Sequence, residues 1–226
     1  MTFLVTGAGR GIGLEFTRQL LGTGHHVIAW VRHPEKSSGL AQLKKDFSAT
    51  LTIDSADVTN EKSVSDAAQK ITTLDVVINN AGVLLDADDD FESLDLDTVK
   101  QTFEVNVYGP MRVAQHTLPI LEQSKSPLLI NISSLMGSVT DNGTGGYYAY
   151  RMSKTAVNMF TKSFSVDHPK IKTFCMHPGW VQTDMGGPNA TTTVEKSVTG
   201  LLRIILEPQK HATGSFISFE GKFLSW

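Results

Sequence analysis

Seven short apolar runs rich in β-branched residues punctuate the chain at Phe3–Val5, His26–Val31, Ala49–Ile53, Leu74–Ile78, Leu128–Ile132, Thr173–Met176 and Ser215–Ser218, and each reads as a strand. Between them lie longer stretches with apolar residues at helical spacing, such as Ile12, Phe16 and Leu20, or Val113, Leu118 and Leu121. Strand and helix alternating in this way imply βαβ units, and therefore a parallel sheet with helices on both faces. Runs such as VIAWV and LLINI are apolar almost without a break. Burial on both sides of a sheet demands that, whereas a half-solvated antiparallel strand would alternate. The expected architecture is a doubly wound α/β fold with a seven-stranded parallel sheet. No repeat or low-complexity linker marks a boundary, so residues 1–226 read as one domain.

With 226 residues, such a chain buries a sizeable core without staples. Twenty basic against 23 acidic residues give a formal charge of −3, which provides no basic footprint for nucleic acid. The longest apolar stretches, PLLINI and GLLRIIL, are far shorter than a membrane span. Met1–Val5 runs straight into a glycine-rich turn without the basic and apolar regions of a secretory signal, so a cytoplasmic protein is expected. Cys175 is the one cysteine, which excludes an intrachain disulfide and reads as a small buried hydrophobe. The seven histidines are scattered, with His25 and His26 pointing to opposite faces of a strand, and no metal site is expected. Seven acids fall between Asp86 and Asp97, in DADDDFESLDLD. They lack the glycine and terminal glutamate spacing of a calcium loop, so the run reads as a solvated loop in which Asp95 or Asp97 caps the next helix.

The first strand is followed directly by Thr6-Gly7-Ala8-Gly9-Arg10-Gly11-Ile12-Gly13 and then a helix. Glycines there let the backbone turn sharply and approach a diphosphate, which the amides and dipole of the helix N-terminus hold. The lysine of a triphosphate-binding loop is missing, so ATP hydrolysis is not expected. A Rossmann-type dinucleotide site is. In such sites an acid about 20 residues on binds the ribose 2′-hydroxyl of NAD, and an arginine accommodates the 2′-phosphate of NADP. Here the second strand ends Trp30-Val31-Arg32-His33 with no acid before Glu35, and Arg10 in the turn adds a second positive charge. NADP is favoured over NAD, with a merely solvated Arg32 as the alternative.

A second constellation begins at Tyr150-Arg151-Met152-Ser153-Lys154, where tyrosine and lysine share a helix face. Bringing a phenol from a pKa near 10 to about 7 takes roughly 4 kcal/mol. One ammonium about 4 Å away, at an effective dielectric near 20, supplies about that much. Alone, such a pair is common. Other polar residues nevertheless stand at the ends of neighbouring strands, Asn131-Ile132-Ser133-Ser134 on the fifth and Asn79-Asn80-Ala81-Gly82 on the fourth, with Asn106 where a later helix opens. In a parallel sheet those ends line the ligand crevice. No G-x-S-x-G elbow exists, so a serine hydrolase is excluded.

Taken in order, TGAGRGIG, ADV at Ala56–Val58, NNAG, NVYG, the serine before the tyrosine, YRMSK and Pro178–Thr183 resemble the short-chain dehydrogenase/reductase family over essentially the whole chain. ISSLMGS, DNGTGGYYAYRMSK, HPGWVQTDMGGPNA and GKFLSW resemble its C-factor-like and sniffer-like carbonyl reductases. The resemblance implies that Tyr150 is the general acid–base, that Ser134 rather than Ser133 positions the carbonyl, that Lys154 lowers the tyrosine pKa and binds the nicotinamide ribose, and that Asn106 holds a relay water. It further implies that NADP(H) is held by Gly7, Arg10, Gly11, Ile12, Gly13 and Arg32, by Asp57 and Val58 at the adenine, by Asn80, Ala81 and Gly82 at the adenosine ribose, by Tyr150 and Lys154, and by Pro178, Gly179, Val181 and Thr183 toward the carboxamide. The stretch between Ser134 and Tyr150 is a few residues longer than in many members, and Asn142–Gly146 is expected to form a mobile lip. Trp180, Met185, Met136, Leu135 and Leu84 are candidates for an apolar substrate pocket, although core packing explains them nearly as well; His177, at a strand end, reads as structural. The implied function is NADPH-dependent reduction of an aldehyde or ketone by a homodimer or homotetramer that packs the helices around Val107–Gln123 and Tyr150–Val166. The rival is an NADP-binding signalling or regulatory protein of the C-factor type.

Overall fold

A computed structural model describes residues 1–86 and 90–226 of the chain. Seven strands form one parallel sheet: β1 Thr2–Thr6, β2 His26–Val31, β3 Leu51–Ser55, β4 Val76–Asn79, β5 Leu128–Ile132, β6 Lys172–His177 and β7 Ser215–Ser218. Their order across the sheet is β3-β2-β1-β4-β5-β6-β7, so the direction of winding reverses between β1 and β4. At that switch the connections leave to opposite faces and open a crevice beyond the carboxyl ends of the strands. All seven strands lie where the apolar runs predict them, and three, β2, β5 and β7, have the expected bounds.

The helices are α1 Gly11–Gly22, α2 Ser38–Asp46, α3 Glu61–Ala68, α4 Leu96–Phe103, α5 Gly109–Leu121, α6 Tyr148–Asp167 and α7 Val194–Leu206. Alternate residues of each strand feed the two cores. Phe3, Val5, Ile78, Ile130 and Phe174 pack with Phe16, Leu20, Val198 and Leu201 of α1 and α7 on one face. Leu4, Trp30, Val77 and Leu129 pack with Val64, Val113 and Leu121 of α3 and α5 on the other. Burial on both faces is the reason the strands needed unbroken apolar sequence.

Asn106 does not open a helix. It lies in a π-helical turn, Glu104–Tyr108, that joins α4 to α5. The wider turn inserts a residue into a continuing helix and re-aims its side chains, a device often found at functional sites. Asp95 caps α4 by accepting from the Asp97 amide, as its position predicts. The acidic run is otherwise not uniformly solvated, because Asp86 is 1% exposed. Asp88 and Asp89 of that run lie outside the described residues.

A polar thread crosses this apolar architecture beneath the crevice. Asn79 Nδ2 of β4 donates to Asn131 Oδ1 of β5 at 2.9 Å, and Asn131 Nδ2 donates to Thr161 Oγ1 of α6, also at 2.9 Å. All three side chains are buried. Asn131→Ala strips partners from both neighbours, and an unpaired buried polar group costs about 1–3 kcal/mol. A fall in stability of about 2 kcal/mol is expected from urea unfolding; an unchanged midpoint would mean the thread does not tie α6 to the sheet.

Candidate active site

The glycine turn is built by close backbone approach. Gly7 and Gly11 have φ of +64° and +52°, in the left-handed region that favours glycine. A Cβ on Gly13 would lie 2.3 Å from the Gly7 carbonyl oxygen, and one on Gly7 would lie 2.9 Å from Ala81 Cα. The ends of β1 and β4 are stapled above it, since Thr6 Oγ1 accepts from the amides of Asn80 and Ala81 at 3.1 Å while Asn80 Nδ2 donates to the Thr6 carbonyl at 2.9 Å. Asn80 therefore shapes the turn itself. At the start of α1, Arg10 occupies the capping position without a side-chain cap, so the first amides of the helix are not consumed by it. A backbone-lined hollow at a helix N-terminus suits a diphosphate.

Arg10, expected as a second charge beside Arg32, is paired with an acid. Its guanidinium pairs with Asp184, and both side chains are exposed. A carboxylate in the segment after β6 attracts it across the crevice, where the methyl of Thr183 also comes within 3.3 Å of the position a Gly11 Cβ would take. Arg32 is exposed at the end of β2. Asp57 Oδ1 is occupied by the amide and hydroxyl of Thr59 at 2.9 and 2.8 Å, and Val58 is 7% exposed beneath Gly109. Val181 is buried and bridges to Thr192, Gly179 turns at φ +86°, and the Pro178 carbonyl accepts from Ser197 Oγ at 2.6 Å.

Asn106, Ser134, Tyr150 and Lys154 converge at the other end of the crevice. Lys154 is 5% exposed and donates from Nζ to the Ile132 carbonyl at 3.0 Å, at the end of β5. Its Nζ lies 5.5 Å from the centroid of the Tyr150 ring. Asn106 is clamped on Val83, accepting from its amide at 2.8 Å and donating to its carbonyl at 2.9 Å, and its second amide hydrogen goes to Ser153 Oγ at 3.0 Å. Both side-chain donors are spent. Gly82 separates this group from Lys154, since a Cβ there would lie 3.3 Å from Asn106 Oδ1 and 3.6 Å from Lys154 Nζ.

The two serines divide their work. Ser133 is buried and donates to Asn158 Oδ1 at 2.7 Å, an oxygen that also accepts from the Cys175 thiol. Ser134 caps the short 3₁₀ turn Leu135–Gly137 by accepting from the Met136 amide at 3.2 Å, and its hydroxyl lowers the Tyr150 phenol pKa. Of the two serines only Ser134 acts on the Tyr150 phenol pKa. The turn packs tightly on α6, where a Cβ on Gly137 would lie 2.8 Å from Lys154 backbone carbon.

Electrostatics correct one expectation. Burial pushes the Tyr150 phenol up to about 12, the Ser134 hydrogen bond draws it partway back, and the Asp86 carboxylate raises it further. A fall to neutrality driven by Lys154 is not present in the protein alone. The ammonium is held by the Ile132 carbonyl and is itself pushed down to about 8 by burial, with Cys175 partly opposing. Burial likewise raises Cys175 to about 11. Desolvation of both members outweighs their attraction across the ring.

Sequence reading missed the supports. Val83 and Ser153 hold Asn106, the Ile132 carbonyl holds Lys154, Asn158 holds the neighbouring Ser133, and Asp86 accepts from the amides of Ala149 and Tyr150. Ser153 carried a signal in lying between Tyr150 and Lys154. The pocket candidates disperse: Trp180 and Met185 are about half exposed, and only Met136 of the five lines a cavity of about 460 Å³ on the outer side of α6 with Val139, Arg151, Met152 and Met159. Asn142–Gly146 forms an exposed turn, with Arg151 donating to the carbonyls of Gly145 and Gly146 at 3.2 Å. Among the described residues no cluster of three metal-ligating side chains occurs.

The chain was compared with known proteins. Residues 1–193 match the model of the short chain dehydrogenase family. C-signal of Myxococcus xanthus is 44% identical over 157 residues, spanning 68% of this chain and 93% of that protein. Among solved structures, NADPH-bound carbonyl reductase from chicken fatty liver superposes with a TM-score of 0.91 at 33% identity, over 100% of this chain and 98% of its own. Carbonyl reductase Sniffer of D. melanogaster superposes with a TM-score of 0.92 at 32% identity, over 100% and 99%.

His177, at the end of β6, accepts from the Leu135 amide through Nδ1 at 3.1 Å, and burial pushes its pKa down to about 4 against the opposing charges of Asp141 and Glu220. The unfolded chain takes up that proton below about pH 6.5 and the folded one only near 4. Stability is therefore lost as pH falls through that window, by up to about 3 kcal/mol. Denaturant melts of wild type and His177→Gln between pH 7 and 4 test this, and the variant is expected to show the shallower acid slope.

Proposed function

The chain belongs to the short-chain dehydrogenase family, and from that membership we propose that it is an NADP(H)-dependent oxidoreductase that reduces the carbonyl of an aldehyde or ketone, with Tyr150 as general acid–base. The observation that carries this reading is the convergence of Asn106, Ser134, Tyr150 and Lys154 at the ends of β4 and β5, beside the hollow of the glycine turn.

The residues present fit the dinucleotide. Gly7 and Gly13 let the turn close on itself and on Ala81 at the helix N-terminus, and Gly82 keeps open the ground between Asn106 and Lys154. Gly7, Arg10, Gly11, Ile12 and Gly13 would hold the diphosphate, Arg32 the 2′-phosphate, and Asp57, Val58, Asn80, Ala81 and Gly82 the adenosine. Tyr150, Lys154, Pro178, Gly179, Val181 and Thr183 would hold the nicotinamide end. The Asp184 pairing takes one nitrogen of the Arg10 guanidinium and leaves its other donors for the diphosphate. When bound, the nicotinamide supplies the hydride.

The protein's own part is orientation and proton transfer. Ser134, whose hydroxyl lowers the Tyr150 phenol pKa, orients a carbonyl oxygen toward the tyrosine hydroxyl. Tyr150, protonated across the physiological range, releases its proton as charge develops on that oxygen. Lys154, fixed by Ile132, stabilises the phenolate left behind. The Asn106 turn holds a water through which the proton is replaced.

In this reading residues 1–226 act as one catalytic domain. Tyr108 and Met111 near the start of α5, and Met152, Met159 and Val166 along α6, are exposed apolar side chains, which supports a homodimer or homotetramer packed through these helices. No described helix is long and apolar enough to cross a membrane. We place the enzyme in the cytoplasm. The likeness to C-signal favours a second reading, an NADP-binding signalling protein with little turnover. The complete four-residue set favours the enzyme, because binding alone has no use for it.

NADPH oxidation at 340 nm over a panel of aldehydes, ketones and quinones, with NADH in parallel, tests the proposal. Turnover preferring NADPH is expected, with a loss of at least about 10³-fold in Tyr150→Phe and little change in NADPH binding. Near-normal turnover in that variant would remove Tyr150 from its role; tight NADPH binding without turnover on any compound would move the weight to signalling.

A further inference from the structure

The catalytic helix lacks a local cap. Tyr147, its capping residue, sits at φ 51°, ψ 43° and offers no side-chain hydrogen bond. Gly145 and Gly146 before it have φ of +69° and +65°, so three successive left-handed residues lead into α6. For tyrosine that conformation is unfavourable and persists only where its surroundings enforce it. Arg151 holds the turn from inside the helix through the carbonyls of Gly145 and Gly146 and the Thr144 hydroxyl. From outside, 63 residues earlier in sequence, the Asp86 carboxylate accepts from the Ala149 amide at 2.7 Å and the Tyr150 amide at 3.4 Å.

Three features set Asp86 apart from an ordinary acidic surface residue. It is 1% exposed. Among the described residues its Oδ1 has no hydrogen-bond partner, so a buried carboxylate is kept for what Oδ2 alone does. It also lies three residues after Val83, the residue that clamps Asn106, on the segment that leaves the Asn80-Ala81-Gly82 end of β4.

We propose that Asp86 is a positioning residue for Tyr150: its buried carboxylate caps the catalytic helix from across the crevice, and so fixes the tyrosine relative to the segment that carries Asn80–Gly82 and Asn106. The same charge opposes the phenolate and keeps Tyr150 in its acid form. The groups around Tyr150 on the elements packed against α6 are few. Ser134 lowers its pKa, Lys154 lies one turn along the same helix, and β6 presents the protonated Cys175 thiol and, beside Leu135, His177. Charges on the other neighbours are paired among themselves: Asp97 with Lys100 on α4, and Glu104 of the π turn with Arg112. Among the described residues, Asp86 is thus the buried negative charge acting on the tyrosine.

The inference rests on Tyr150 as acid–base, and its test includes a readout independent of activity. Asp86→Ala and Asp86→Asn are compared with wild type for amide hydrogen exchange at Ala149 and Tyr150, for kcat and KM in NADPH-dependent reduction, and for the pH profile of kcat. In Asp86→Ala, exchange of the two amides is expected to rise and kcat to fall, each by about tenfold, the equivalent of a lost cap, with KM for NADPH changed less. Asp86→Asn keeps an acceptor oxygen and loses the charge, so it should restore protection and move the basic limb of the pH profile to lower pH. Should Asp86→Ala not fold, the Asn variant decides alone, since a purely structural cap would leave the limb where it was. Unaltered exchange in Asp86→Ala, or an unmoved limb in Asp86→Asn, overturns the proposal. Altered exchange in a protein whose Tyr150→Phe variant is still active would instead overturn the role of Tyr150 and leave the cap standing.

Discussion

Placing an ammonium inside a protein is the constraint around which this site is organised. Lys154 is almost fully buried, and desolvation pushes it down to about 8 from 10.5. A shift of that size disfavours the charged folded form by about 3 kcal/mol. Because the folded value lies below the unfolded one, stability is lowest below pH 8 and recovers toward pH 10.5. The surroundings offset the burden piece by piece. The Ile132 carbonyl accepts from Nζ, Gly82 and Gly137 keep side chains out of its space, and Asn79, Asn131 and Thr161 fasten its helix to the sheet.

Tyr150 shares the consequences. Dry surroundings, with Asp86 behind its amide, hold it as an acid far above neutrality in the protein alone. The elementary estimate of one lysine charge offsetting the whole phenol pKa assumed a separation of about 4 Å and a solvated partner. The second does not hold, since burial raises the phenol and lowers the ammonium together. The pair is better described as a proton donor beside a cation that stabilises the conjugate base as it forms. In the proposed chemistry Ser134, which draws the same phenol partway back, aligns the acceptor.

Much of this was legible in the sequence because the signals were local or periodic. Strands buried on both faces must be continuously apolar, and β2 and β5 were readable to the residue. The glycines of the turn were readable because only a missing side chain permits the Gly13 to Gly7 approach. What escaped detection was long-range. Asp86 sat at the edge of an acidic run and resembled surface charge, yet its partners are 63 and 64 residues away in sequence. Arg10 and Asp184 are 174 residues apart, so local reading could only place Arg10 with Arg32. The π turn at Asn106 was invisible for a different reason: helical periodicity continues through it, and one inserted residue leaves no compositional trace.

The most direct test is a titration of Lys154 itself, by NMR of protein carrying ¹³C-labelled lysine side chains, with Lys154→Met to assign the resonance. A midpoint near 8, well separated from the other lysines, is expected if the ammonium is buried and held as described. A midpoint near 10.5 would place Lys154 in solvent and contradict the pairing with Tyr150 on which the proposed chemistry depends.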